Sequence, residues 1–151
     1  MSNQRAAEIL PYRTTVMVRD TCLCLHVQRA ARALARRFDD ALRPLDLGQG
    51  QFSLLMALNR PQPPNMAQVA AVLAMDRTTL TANLKPLERR GLLAVTVDEA
   101  DRRSRRLLLT RAGRRLLARA LPVWQQTHRE VEALLGAADP DRLRAGLRAL
   151  S

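Results

Sequence analysis

Residues 76–110, DRTTLTANLKPLERRGLLAVTVDEADRRSRRLLLT, place a helix start, a helix stop, two short strands and an arginine-rich loop in one short stretch. Asp76 is a good N-cap, because its carboxylate can accept the orphan amide hydrogens of a first helical turn. Short hydroxyl residues follow at Thr78, Thr79 and Thr81, and Gly91 stands where a helix ends in a left-handed residue. Residues 92–97 and 105–109 are apolar enough to form two strands, separated by the polar tip DEADRRS. A helix with small side chains followed by a basic hairpin can enter one DNA groove and brace against the next. The stretch predicts a winged helix-turn-helix.

Charge placement supports a polyanion partner. The net charge is +11, and residues 85–119 alone carry eleven basic side chains against four acidic ones, or +7. A genome bias toward arginine accounts for Arg in place of Lys, but not for this clustering. No helix pairs these arginines with a strongly apolar opposite face, so double-stranded DNA is expected rather than a membrane surface. Aromatic residues make up only 3% of the chain, so its core must be built from Leu, Val and Ala, a composition that favours helices. With no apolar run long enough to span a bilayer and no signal peptide, a cytoplasmic protein is expected.

The remaining segments read as helices around one small sheet, a mostly α fold with an antiparallel β-wing. Residues 1–15 show no clear period and suggest an arm. From Thr21 to about Arg43, Leu23, Val27, Ala30, Leu34, Phe38 and Ala41 recur at steps of three and four, predicting a long amphipathic helix. Residues 51–59 predict a short buried helix, preceded by an interhelix turn at Gly48-Gln49-Gly50. Asn65 caps the next helix, and a brief turn at Met75 and Asp76 leads to the one starting at Arg77. After the hairpin, Thr110 caps a long helix with an apolar stripe from Leu116 to Leu135, bent at Pro122. A short helix over residues 141–150 ends the chain. Long amphipathic helices at both ends leave more apolar surface than one copy can cover, so a homodimer is expected. The division is thus one domain over 1–151, a DNA-binding lobe over 46–110, and dimerisation helices over 12–45 and 111–151.

The chain resembles the MarR family of bacterial transcriptional regulators. The resemblance rests on Asp76 with Thr78 and Thr81, on Leu87-Glu88-Arg89-Arg90-Gly91-Leu92, on Asp101 with Arg103, and on Leu109-Thr110-Arg111-Ala112-Gly113. It implies a dimeric winged-helix protein, usually a repressor, that releases DNA when an effector binds or a thiol is oxidised. It also implies that Arg103 reaches into a minor groove, where narrowness concentrates negative potential. A surface arginine paired with Asp101 is the alternative, and both can hold. Arg77, Thr78, Thr79, Thr81, Ala82 and Lys85 are candidates for the groove-facing side of the recognition helix, with Arg102 and Arg105 joining Arg103 on the wing. Arg77 has the fork to read a guanine, whereas the threonines suit phosphates or thymine methyls. Pro86 should kink the helix and has no direct DNA role.

Two triggers remain open. One is a small aromatic or acidic effector in the cleft between the dimer helices and the DNA-binding lobe. The other is oxidation of Cys24 or Cys22. If Thr21 is the N-cap, both thiols lie in a first helical turn that favours the thiolate. Residues two apart on a helix point to opposite sides, which argues against a bridge between them. The branch of organic-hydroperoxide regulators, active in stress response, is similar in placing a reactive cysteine at this helix start. Phe38 and Gln49 stand where that branch has the tyrosines that bond its thiol, so Cys24 as a small buried residue is the competing reading. Cys22 and His26 share a helix face but are too few for a metal site, and no cofactor is expected. Asp39-Asp40 and Asp98-Glu99 read as a solvated helix surface and a loop tip. Nothing supports catalysis. The rival to a sequence-specific regulator is a non-specific architectural nucleic-acid binder using the same basic wing.

Overall fold

The computed structural model describes residues 10–151, in two units that divide between Leu34 and Ala35. In the first unit, α1 (Tyr12–Thr21) precedes the start of α2 (Leu23–Leu42). The expected arm is therefore helical from Tyr12 onward, and residues 1–9 lie outside the described part. Thr21 is not an N-cap but the last residue of α1, where its hydroxyl donates to the Met17 carbonyl at 2.8 Å. Cys22 is extended (φ −70°, ψ 106°), and α2 restarts from it through the His26 N–H to Cys22 C=O bond of 3.1 Å. No Gly or Pro marks this break, so no local signal announces it. Leu23, Val27 and Leu34 of the expected apolar stripe are exposed in the single chain.

The second unit holds the core. Phe38 and Leu42 are buried at the end of α2, and a 3-10 turn (Arg43–Leu45) leads toward α3 (Gln49–Leu58). This helix begins two residues before the expected Gln51, so Gln49 and Gly50 are helical rather than part of a turn. The cause is non-local: the Asp39 carboxylate on α2 accepts the Gln49 N–H at 2.7 Å and occupies an orphan donor of the first turn. Asp39 is exposed on the helix surface as expected, and its carboxylate is also a capping group. Its neighbour Asp40 pairs with Arg43.

Helix α4 (Met66–Leu73) starts at a reciprocal cap. The Asn65 side chain accepts from Gln68 N–H at 2.9 Å, and the Gln68 side chain accepts from Asn65 N–H at 3.0 Å. Asn65→Ala is expected to lower unfolding free energy by about 1 kcal/mol, measurable as a reduced urea midpoint at unchanged m-value. Ala74 then turns the chain in the left-handed region (φ 48°). Two residues later Asp76 caps α5 (Arg77–Arg89) as expected, accepting the Thr79 N–H at 2.8 Å. Leu80, Leu84 and Leu87 fall at helical spacing and are buried, locking α5 to the leucine core. The helix continues through Pro86 to Arg89, and the left-handed turn at Gly91 (φ 68°) lets Leu92 N–H bond back to Leu87 C=O at 3.0 Å.

Strands β1 (Leu93–Val97) and β2 (Arg105–Leu109) pair antiparallel from Leu93↔Leu109 to Val97↔Arg105. The segment before α4 lies along the free edge of β2, with Leu107 N–H donating to Pro64 C=O at 2.9 Å. Thr110 caps α6 (Arg111–Ala133), which continues through Pro122, and α7 (Pro140–Arg148) follows. The exit of α5, the start of β1, the end of β2 and the start of α6 meet at one node. There the Thr110 hydroxyl donates to Gly91 C=O at 2.7 Å and accepts the Gly113 N–H at 3.1 Å.

Candidate nucleic-acid interface

Helix α5 turns its leucines inward, and the opposite side carries Thr78, Ala82 and Lys85, all exposed. Thr79 and Thr81 flank this face with their hydroxyl hydrogens already used. The Thr79 hydroxyl donates to the Asp76 carboxylate at 2.6 Å and the Thr81 hydroxyl to Arg77 C=O at 2.8 Å. Both bonds stiffen the helix start, and the Thr79 hydroxyl above all holds the Asp76 carboxyl below its usual range. Thr78 is left as the exposed hydroxyl whose hydrogen is free among the described residues.

Arg77 lies apart from that face, on the flank toward the wing. With Asn65, Met66, Arg103, Arg105 and one acidic residue, Asp101, it lines a groove of about 350 Å³ between the starts of α4 and α5 and the wing tip. Arg102 instead borders a separate depression with Val97 and Glu99. Of the four arginines expected at DNA, three therefore share an opening and Arg102 does not. Among the described residues no carboxylate pairs with Arg77, Arg103 or Arg105. A concave site lined by several cations focuses positive potential and favours an anion within it.

The wing tip is held by its own backbone. Asp101 does not pair with the Arg103 guanidinium: its carboxylate accepts the Arg103 N–H at 3.0 Å, and its carbonyl accepts the Ser104 N–H at 2.8 Å. Asp101 shapes the turn and leaves the Arg103 side chain exposed. Arg105 donates to the carbonyls of Arg102 and Ser104 at 3.1 and 3.3 Å, bracing the same turn.

Asp98 departs from the loop-tip expectation. It is buried, and its carboxylate accepts the Arg106 Nε–H at 2.7 Å and the Ala100 N–H at 3.0 Å. Arg106 also donates to Pro63 C=O at 3.0 Å, so it is committed to the wing base and is not a free cation. The Ala100 N–H chiefly, with the Arg106 charge, depresses the Asp98 carboxyl below its ordinary range. A depressed carboxylate stabilises the fold above its unfolded-state pKa and loses that contribution as pH falls through the folded value. The wing base is therefore fully tied at neutral pH. Its one sequence signal was an acidic and a basic residue eight apart across a predicted hairpin.

Neither cysteine is buried. Cys22 is half-exposed at the α1–α2 break, while Cys24 is exposed in the first turn of α2, where its sulfur accepts from Gln28 at 3.3 Å. The helical geometry that opposed a bridge between them does not apply, because Cys22 is not helical. His26 turns a ring nitrogen to the Cys22 carbonyl at 2.8 Å. Among the described residues no group of three or more His, Cys, Asp or Glu is disposed to hold a metal.

A second groove, of about 480 Å³, lies between α3, α4 and α6 and is lined by Phe52, Met56, Val72, Leu121 and Trp124 together with Asn59 and Arg60. Phe52 and Trp124 stack at 6.2 Å between ring centroids, and Trp124 in turn stacks on His128 at 4.7 Å. No helix among the described residues is long and apolar enough to cross a membrane.

A family model described as MarR family matches residues 45–104, the segment that carries the helix-turn-helix and most of the wing. The transcriptional activatory protein BadR of Rhodopseudomonas palustris is 34% identical over 95 residues, 61% of this chain and 54% of BadR, so the chain spans about half of that relative's length. The M. tuberculosis transcriptional regulator MosR, solved in complex with DNA, is 39% identical with a TM-score of 0.78, covering 85% of this chain and 92% of MosR. The repressor CouR, solved with p-coumaroyl-CoA, is 28% identical with a TM-score of 0.77, covering 88% of this chain and 94% of CouR.

Proposed function

This chain belongs to the MarR family of transcriptional regulators, and on that premise we propose that it is a cytoplasmic, homodimeric repressor that binds a pseudo-palindromic operator. The observation that carries the DNA reading is the groove of Arg77, Arg103 and Arg105 beside the outward face of Thr78, Ala82 and Lys85. The helix face reads base edges in a major groove, Arg103 enters the adjoining minor groove, and Arg77 and Arg105 hold the backbone between them. Uncovered apolar residues support the dimer. Met17, Val18 and Leu23 are exposed in the first unit, and Leu134, Leu143 and Leu147 in the second, leaving surface for a second copy. A two-fold axis then sets the two α5 helices about one DNA turn apart, roughly 34 Å.

Two inputs fit the release step. The apolar, aromatic groove around Trp124, with the Arg60 guanidinium in its lining, suits a small aromatic or acidic effector, and CouR provides a relative with a small-molecule ligand. The accessible Cys22 and Cys24 suit oxidation.

The decisive measurement is affinity for a duplex recovered from a random library by in vitro selection, compared with random duplex at physiological salt. A ratio above about 10³ is expected, and a smaller one would establish the architectural binder instead. Hydroperoxide treatment of wild type and Cys24→Ser separates the inputs: a wild type that stays bound after oxidation eliminates the thiol.

A further inference from the structure

The three arginines of the DNA groove come from distant parts of the chain, and something must fix their spacing. Arg77 opens α5, whereas Arg103 and Arg105 sit at the outer end of a two-stranded wing whose strands pack on α3, α4 and α5. A two-stranded ribbon is marginally stable by itself and takes its orientation from what it packs on. Asp98 follows the last residue of β1, and Arg106 lies diagonally across on β2, opposite Thr96, so their 2.7 Å bond ties the two strands at the base of the tip. Arg106 reaches further, to the Pro63 carbonyl, and its own backbone bridges Asn65. Asn65 is both the cap of α4 and part of the groove lining. One half-buried side chain, that of Arg106, therefore links the arginine-bearing wing to the edge of the groove that faces it.

We propose that Asp98 and Arg106 are positioning residues for DNA recognition, holding the wing so that Arg103 and Arg105 close on the same groove as Arg77. Arg106 is set apart from its neighbours by chemistry. Its charge is satisfied within the protein by Asp98 through Nε, and one Nη donates to the Pro63 carbonyl, a planar two-way connection that lysine cannot reproduce. This inference rests on the DNA-binding reading above.

The test is a double-mutant cycle on the full-length protein, read as affinity for the selected duplex and for random duplex. Arg103→Ala in the wild-type background is expected to weaken binding about tenfold. Arg106→Met, which keeps the side-chain length and loses both connections, is expected to do the same. Combined, they should cost little more than either alone, because a wing without its strut no longer delivers Arg103. Arg106→Lys should fall near Arg106→Met despite keeping the charge. A strut that served stability alone would lower the melting temperature and leave the Arg103→Ala penalty intact. Equal Arg103→Ala penalties in both backgrounds, or wild-type affinity in Arg106→Met, overturn the proposal. If Arg106→Met does not fold, Arg106→Lys takes its place in the cycle with the same criteria. Because Arg103 acts on DNA of any sequence, the random-duplex arm still decides the strut if the selected-duplex ratio shows the protein is no sequence-specific regulator.

Discussion

Replacing Gly113 by alanine is expected to destabilise the fold by about 3 kcal/mol and to lower the melting temperature by roughly ten degrees. A Cβ at this position would lie 2.1 Å from the Leu92 carbonyl oxygen and 2.7 Å from a methyl of Leu109. The methyl can rotate away, but the carbonyl cannot. Leu92 follows the left-handed Gly91 and accepts the Thr110 N–H at 3.1 Å, so moving its oxygen disturbs the node where α5, both strands and α6 meet. The alternative is for α6 to lift off the sheet, opening the core at Leu116 and Leu117. Gly146 supplies the control, since it lies within α7 and its Cβ would meet nothing within 4 Å. Gly146→Ala should raise stability by about 0.5–1 kcal/mol through helix propensity and the less mobile unfolded chain. Thermal or urea unfolding of the two variants reads opposite signs from one chemical change, and the same sign in both would refute the close-approach argument.

Gly113 also shows why parts of this fold were readable from the chain and others were not. Asp76, Asn65, Thr110 and Gly91 act on amide and carbonyl groups within a few residues of themselves, and a sequence window contains both partners. The elements they bound were accordingly placed within a residue or two. The early start of α3 depends on Asp39, ten residues upstream on another helix. The break at Cys22 has no residue type that demands it, and the helix of Tyr12–Thr21 lacks the clean apolar period that reveals the others. In the candidate interface, helix α5 and the wing were each legible as elements because each concentrates its signals locally. The shared groove was not, since it depends on how β2 packs on Pro64 and Asn65, roughly forty residues from the wing arginines. The commitment of Asp98 and Arg106 to each other was hidden for a related reason. A charge run gives no sign of which of its members has been neutralised from within.

That distinction has a large measurable consequence in salt. Arg77, Lys85, Arg102, Arg103 and Arg105 are exposed and are the cations proposed to meet DNA, while Arg106 is paired with Asp98. If a dimer sets between six and ten cations on phosphates, affinity should fall by about 10³–10⁵ between 50 and 200 mM salt, because each neutralised phosphate releases condensed counterion. Fluorescence anisotropy on a labelled duplex across that range gives the slope of log affinity against log salt. Arg103→Ala, present twice in the dimer, should make the slope shallower by about two, or one per protomer, and Lys85→Ala should act similarly. Arg106→Met differs in kind, since it removes a charge that was already balanced. Because it also leaves the Asp98 carboxylate unbalanced, part of its effect is a general loss of one charge per chain, and the part that comes through the misplaced wing should flatten the slope as Arg103→Ala does. Adding Arg103→Ala to it should flatten the slope no further. An unchanged slope in Arg103→Ala would mean that the wing arginine meets no phosphate field, and the assignment of the wing to DNA would fall with it.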